Sequence, residues 1–248
     1  MPELTAFQWC LAVFAALGVG VAKSGFSGVS MVHVLVFAYI FGARDSTGVV
    51  LPMLIVGDIS AVCAFRRHAR WDYIRRMLPP ACIGVVTGWL VMQRLPAGAF
   101  NPIIGAIVLS LIALHFVRLS RPVLFERVPH ALWFAWTLGL LAGVTTMLAN
   151  AAGPIMALYF LAIALPKFEF VGTSAWFFLI VNVFKVPFSY QLGLIHGMTL
   201  LLNLMLVPAI VAGLFIGRWL VTRIPQKLFD SLLLAFAALA ALRLIIHF

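Results

Sequence analysis

Charge is what this chain has least of. Only 10% of its 248 residues are Asp, Glu, Lys or Arg, and acidic residues number 7. A soluble domain carries roughly a quarter charged residues, so a water-soluble globule is excluded. Cysteine is scarce as well: Cys10, Cys63 and Cys82 are odd in number and lie in apolar stretches. That excludes a disulfide framework and a CxxC metal pair. The six histidines, at 33, 68, 115, 130, 196 and 247, show no HxxxH spacing and no carboxylate cluster, which speaks against a metal site. Neither G-x-S-x-G nor a P-loop occurs, so a Ser hydrolase and a self-contained ATP-driven pump are set aside. Low-complexity tracts and long polar linkers are missing too. The N-terminus has Pro2 and Glu3 where a signal peptide would have a basic stretch, so 4–22 reads as a retained helix.

What remains is apolar. Hydrophobic residues make up 64% of the chain. Apolar segments fall at about 4–22, 26–42, 46–64, 78–93, 98–118, 132–149, 152–166, 170–187, 198–217 and 228–246. The pattern predicts an all-α polytopic membrane protein of eight to ten helical segments. At 1.5 Å per residue, 152–166 reaches only ~22 Å of a core about 30 Å thick, so it and 26–42 are expected to be short, tilted or re-entrant. The net charge of +10 fits cytoplasmic loops under the positive-inside bias better than nucleic-acid binding. If all ten segments cross with the N-terminus outside, thirteen basic residues fall inside and three outside. If 26–42 and 152–166 do not cross, the counts become nine and six. The first arrangement carries the larger asymmetry and is preferred. Both place Arg66–Arg76 and Leu119–His130 in the cytoplasm.

The chain also repeats itself. Gly18-Val19 recurs 125 residues on as Gly143-Val144, Gly28 as Gly153, and Leu54-Ile55-Val56 as Leu179-Ile180-Val181. Farther along, Pro79, Gly84, Gly88 and Pro96 recur 129 residues on as Pro208, Gly213, Gly217 and Pro225. Residues 1–125 and 126–248 are therefore expected to be two membrane repeats of one transmembrane domain. Five crossings per half would make them inverted repeats. Gly84-x-x-x-Gly88, Gly139-x-x-x-Gly143 and Gly213-x-x-x-Gly217 read as faces for close internal packing of helices.

Two breaks occupy matching positions in the halves: Lys23-Ser24-Gly25-Phe26-Ser27-Gly28, and Asn150-Ala151-Ala152-Gly153-Pro154. Each ends where an apolar helix should begin. A helix N-terminus offers unpaired N–H groups and a partial positive charge, hence an anion site. Paired interruptions of this kind point to a transporter's binding site. Candidate substrate-binding residues are Lys23, Ser24, Gly25, Ser27, Gly28, Asn150, Gly153 and Pro154, with Thr173, Asn182 and Lys185 on a later segment. Lys23 could equally snorkel at a helix end, and 150–154 could be a plain loop. Asp58 and Lys185 are charges set inside apolar segments, which in a membrane are expensive and functional by default. They could pair with each other. Alternatively Lys185 could serve the anion and Asp58 carry a coupling proton, or Asp58 could be a structural acid neutralised by Arg66. Asn182 shares a helical face with Lys185. Pro187 suggests a third irregular element over Asn182–Pro187.

Together these stretches resemble the TauE/SafE family of sulfite exporter-like permeases. The likeness rests on Ala22–Gly28, Asp58 through Arg66-Arg67-His68-Ala69-Arg70-Trp71, Gly143–Pro154, Phe170–Phe178, Asn182-Val-Phe-Lys-Val-Pro187 and Gly193. It covers nearly the whole chain. It implies a multi-pass secondary transporter of the bacterial inner membrane for small anions, often sulfur-containing oxyanions or organosulfonates, working by alternating access. The first glycine cluster departs from the GGG run of many members, with Phe26-Ser27 in its place. The partners expected are a small anionic substrate, membrane lipid, and a coupling proton or sodium ion. No cofactor, metal or nucleic acid is expected. The alternatives are a passive anion channel, a membrane assembly subunit, or a membrane enzyme. The last should show several intramembrane carboxylates or histidines, where this chain has one carboxylate.

Overall fold

A computed structural model describes residues 4–26, 29–96, 131–225 and 228. The described residues form eight α-helices: α1 (Ala6–Lys23), α2 (Ser30–Phe41), α3 (Ala43–Phe65), α4 (Trp71–Arg94), α5 (Leu132–Ala149), α6 (Gly153–Ala162), α7 (Lys167–Gln191) and α8 (Gly197–Arg223). No strand occurs among them. Five helices are long and apolar enough to cross a membrane: α1, α3 with the turn after it, α5, α7 and α8. The chain is thus a multi-pass membrane protein. Phe14, Trp133, Phe215 and Trp219 are exposed. On a soluble protein such a surface would be a liability, whereas lipid solvates it. The segments expected at 98–118 and 228–246, and the loop Leu119–His130, lie outside the described residues.

Local signals account for several helix ends. Thr5 caps α1 in a reciprocal capping box with Gln8. Pro154 sits in the first turn of α6, where its missing N–H costs nothing. α2 has 12 residues and α6 has 10. At 1.5 Å per residue they span about 18 and 15 Å, short of a hydrocarbon core of about 30 Å. One expectation is corrected. Asn182–Pro187 is not an irregular element, because α7 runs unbroken through Pro187 to Gln191. Neighbouring helices commonly make good the hydrogen bond such a proline removes.

Glycine sets the two most extensive helix contacts, α4 on α5 and α1 on α8. A Cβ built on Gly84 would lie 2.2 Å from the Leu140 carbonyl oxygen, and one on Gly143 2.0 Å from that of Ala81. A Cβ on Gly213 would lie 2.1 Å from the Leu17 carbonyl oxygen. Those positions accept hydrogen only, and the three small-residue faces serve internal packing as expected.

The contacts also fix helix directions. Gly213 meets Leu17 while Gly217 meets Val21 and Ser24, so α1 and α8 run parallel. Ile210 packs at Gly57, Leu214 joins Ala61 and Val62, and the Arg218 guanidinium lies 5.7 Å from the Phe65 ring, so α3 runs the same way. Gly172 abuts the Phe65 carbonyl while Asn182 reaches Asp58, so α7 is antiparallel to α3. The start of α7 is tied to the end of α8 by Lys167, whose Nζ donates to the Val221 carbonyl at 3.0 Å and also to that of Ile224.

Candidate functional site

The two breaks meet in the interior. The chain leaves α1 at Lys23, and Gly25 takes φ +117°, a conformation open to glycine because it has no Cβ. In the other break, 125 residues on, Asn150 sits in the left-handed region at φ 53°, ψ 29°, which asparagine tolerates better than most residues. Each turn ends one helix and opens a short one. The first residues of those short helices, Ser30 of α2 and Gly153 of α6, line a single cavity of about 50 Å³. Lys23, Gly25, Asn150 and Asn182 also line it. That is room for a few waters or one small anion, a water needing about 10–15 Å³ on this measure.

The cavity rests on two charge centres. Asp58, in the middle of α3, is fully buried. Its Oδ1 lies 2.6 Å from Lys23 Nζ, and its Oδ2 accepts a 2.7 Å hydrogen bond from Asn182 Nδ2. The Lys23 side chain is 11% exposed, and its Nζ stands 4.8 Å from the centre of the Phe178 ring. Lys23 therefore does not snorkel to a surface. Lys185 forms the second centre: Nζ donates to Asn150 Oδ1 at 2.6 Å, to the Thr146 carbonyl at 2.7 Å and to Thr146 Oγ1 at 3.2 Å. Asn150 Nδ2 donates in turn to the Thr47 carbonyl at 2.9 Å. The break at 150–152 is thus a buried polar junction of α3, α5 and α7, not a plain loop.

This differs from the sequence-based expectations in definite ways. Asp58 pairs with Lys23, and neither Lys185 nor Arg66 is its partner. Lys185 reaches the Thr146 carbonyl in the last turn of α5, where a helix end is negative and favours a cation. Thr173 is buried away from the cavity, its Oγ1 accepting from the Arg70 N–H at 3.0 Å. It belongs to the junction between the start of α4 and α7, beside the Arg70–Glu169 ion pair. Ser24 also turns away, donating to the Val21 carbonyl at 2.7 Å and packing against Gly217. Pro154 is the second residue of α6, and Ser27 and Gly28 lie outside the described residues. Sequence reasoning missed Thr146, Phe178, Ser174 and His33 as residues around the cavity. His33 fits no ligand spacing in the sequence, yet it stands one turn into α2 and lines the cavity.

A mostly apolar cavity with a few convergent polar groups, set between helix breaks in a bundle of apolar helices, fits a multi-pass membrane transport protein. The family model for the sulfite exporter TauE/SafE proteins matches residues 11–244, nearly the whole chain, and the protein belongs to that family. It is a transporter and not an enzyme. No curated protein and no solved structure matches the chain.

Proposed function

We propose that the protein is a secondary carrier for small anions, of the sulfur-containing oxyanion or organosulfonate class, bound between the two helix breaks. The observation that carries this reading is the convergence of the α2 and α6 N-termini with Lys23 on one cavity. Helix N-termini supply N–H donors and positive potential, and Lys23 supplies a full charge. Substrate-binding roles go to Lys23, Gly25, Asn150, Gly153 and Asn182, with Lys185 setting the Asn150 turn. Alternating access would move the repeat 1–125 against the repeat 126–248. Supporting the repeats, both halves show the same helix order, and the first helix of each packs on the last described helix of the other. The directions of α1, α3 and α8 support the topology with the N-terminus opposite Arg66–Arg76. In it α2 and α6 return toward the side from which α1 and α5 set out. A bacterial inner membrane is the setting this implies, with Arg66–Arg76 in the cytoplasm.

Asp58 is the proposed coupling residue. A proton arriving on its carboxyl after the anion has left would break the pair with Lys23, so that proton and anion occupy the site in turn. The decisive experiment loads proteoliposomes with labelled sulfite, sulfoacetate, thiosulfate and small carboxylates. Saturable uptake with counterflow supports a carrier, uptake without counterflow makes it a channel, and no flux of any anion refutes the proposal.

A further inference from the structure

Beyond the residues that hold the cavity together, three polar side chains along it have atoms with no protein partner. His33 is 1% exposed, and neither of its ring nitrogens is hydrogen-bonded. Asn182 is also 1% exposed, and its Oδ1 is unpaired. Ser174 Oγ is the third. Buried polar atoms are almost always satisfied, and an orphaned one costs free energy, so three along one cavity mark places where water or a ligand hydrogen-bonds. Their chemistry is not uniform. A neutral imidazole offers one donor and one acceptor, and a hydroxyl can do either. Asn182 Oδ1 can only accept. Its amide orientation is fixed, because Nδ2 is held 2.7 Å from the Asp58 carboxylate. A fully deprotonated oxyanion, which only accepts, would leave this oxygen facing another acceptor.

Charge narrows the ligand further. Among the described residues, the groups at the cavity and its two centres are Lys23, Lys185 and Asp58, two cations against one carboxylate. The formal surplus is one positive charge, which one monoanion would neutralise. A dianion would leave an uncompensated negative charge in a low-dielectric interior, where unpaired charge is costly.

Resting on the anion-carrier reading, we infer that the cavity selects a singly charged oxyanion carrying its own hydroxyl or N–H donor, with Asn182 Oδ1 accepting from that donor while His33 and Ser174 hydrogen-bond the oxyanion oxygens. The specificity-determining residue is Asn182, and His33 is a general oxyanion contact.

The test uses purified full-length protein and a matched pair of monoanions, isethionate and ethanesulfonate, which differ by one hydroxyl. Sulfoacetate is the dianionic third probe. Binding is read by ligand-induced thermal stabilisation, and inhibition by flux of labelled sulfite. Isethionate should bind roughly 10- to 100-fold more tightly than ethanesulfonate, the scale expected when a buried acceptor is left unpaired. Sulfoacetate should bind more weakly than isethionate. Asn182→Leu should bring the ratio of the pair close to one. His33→Phe should weaken both sulfonates while keeping the ratio. The ratio is measured within one protein, so if Asn182→Leu fails to fold, the wild-type ratio decides. Equal or reversed affinities, or tighter binding of sulfoacetate, overturn the inference. If sulfite flux persists in that case, the carrier reading stands without it. Absence of both flux and binding overturns the two together.

Discussion

The Lys23–Asp58 pair invites a quantitative test. Asp58 is fully buried and Lys23 nearly so, and the charges stand 2.6 Å apart. Asp58→Asn keeps the side chain's size and leaves the ammonium in the interior without its counter-charge. Breaking a buried pair from one side costs about 3–5 kcal/mol, whereas replacing both partners with apolar groups of similar volume is often neutral. Asn182 sharpens the case, because its Nδ2 donates to the lost carboxylate oxygen and would retain only an amide oxygen as acceptor. Asp58→Asn should therefore lose a large share of a fold worth about 5–15 kcal/mol. The double variant Lys23→Met/Asp58→Asn should recover about 2 kcal/mol or more of that loss, a coupling within the range seen for residues in contact. Thermal unfolding of detergent-purified protein, measured for wild type, both single variants and the double variant, closes the cycle. Wild-type stability of Asp58→Asn, or a double variant no more stable than the single, would refute the claim that these charges are held together away from water.

The transport consequences of the same residues can be checked in proteoliposomes. Asp58→Asn should lose accumulation driven by a proton gradient while keeping anion exchange, so full retention of pH-driven transport would remove Asp58 from coupling. Lys23→Gln should weaken apparent affinity for a charged substrate by about tenfold, the worth of one charge-assisted hydrogen bond, and an unchanged half-saturation would place the anion elsewhere. Gly143→Val should separate α4 from α5, since its Cβ would lie 2.0 Å from the Ala81 carbonyl; a loss of at least about 1–3 kcal/mol is expected, seen as lower yield of folded protein and a lower melting temperature. Cysteines placed singly in Arg66–Arg76 should resist an impermeant thiol reagent applied from the periplasm, in a background lacking the native cysteines. A reporter fused after Phe248 should read periplasmic, as the ten-segment topology requires.

Much of this architecture was legible in the residues. Apolar run length marked every described helix, though 78–93 fell short of α4 at its N-terminal end, where Asp72, Arg75 and Arg76 stand in the first two turns of the helix rather than in a loop. The breaks at Lys23–Gly28 and Asn150–Pro154 were legible because glycine, asparagine and proline have few other uses in an apolar run. Partners were not legible. Asp58 could be read as an expensive buried charge, but its choice of Lys23 over Lys185 depends on how α1 packs against α3. That depends on Gly57, where an added Cβ would meet Lys23 Cγ at 3.0 Å. Proline misled at Pro187, because periodicity carries no information about neighbours that compensate for a lost hydrogen bond.

The hydrogen bond from Asn150 to Thr47 has a mechanical meaning. Asn150 belongs to the second break, yet it is fastened to the opening turns of α3 on one side and to Lys185 of α7 on the other. The first break is fastened to the same two helices, through Asp58 of α3 and its bond with Asn182 of α7. α3 and α7 thus act as a common yoke, and neither turn can shift without loading the other through it. An opening motion that preserves these bonds must carry both turns as one body. Rocking of residues 1–125 against 126–248 would therefore have to break or exchange these bonds, because α3 lies in one half of the chain and α7 in the other.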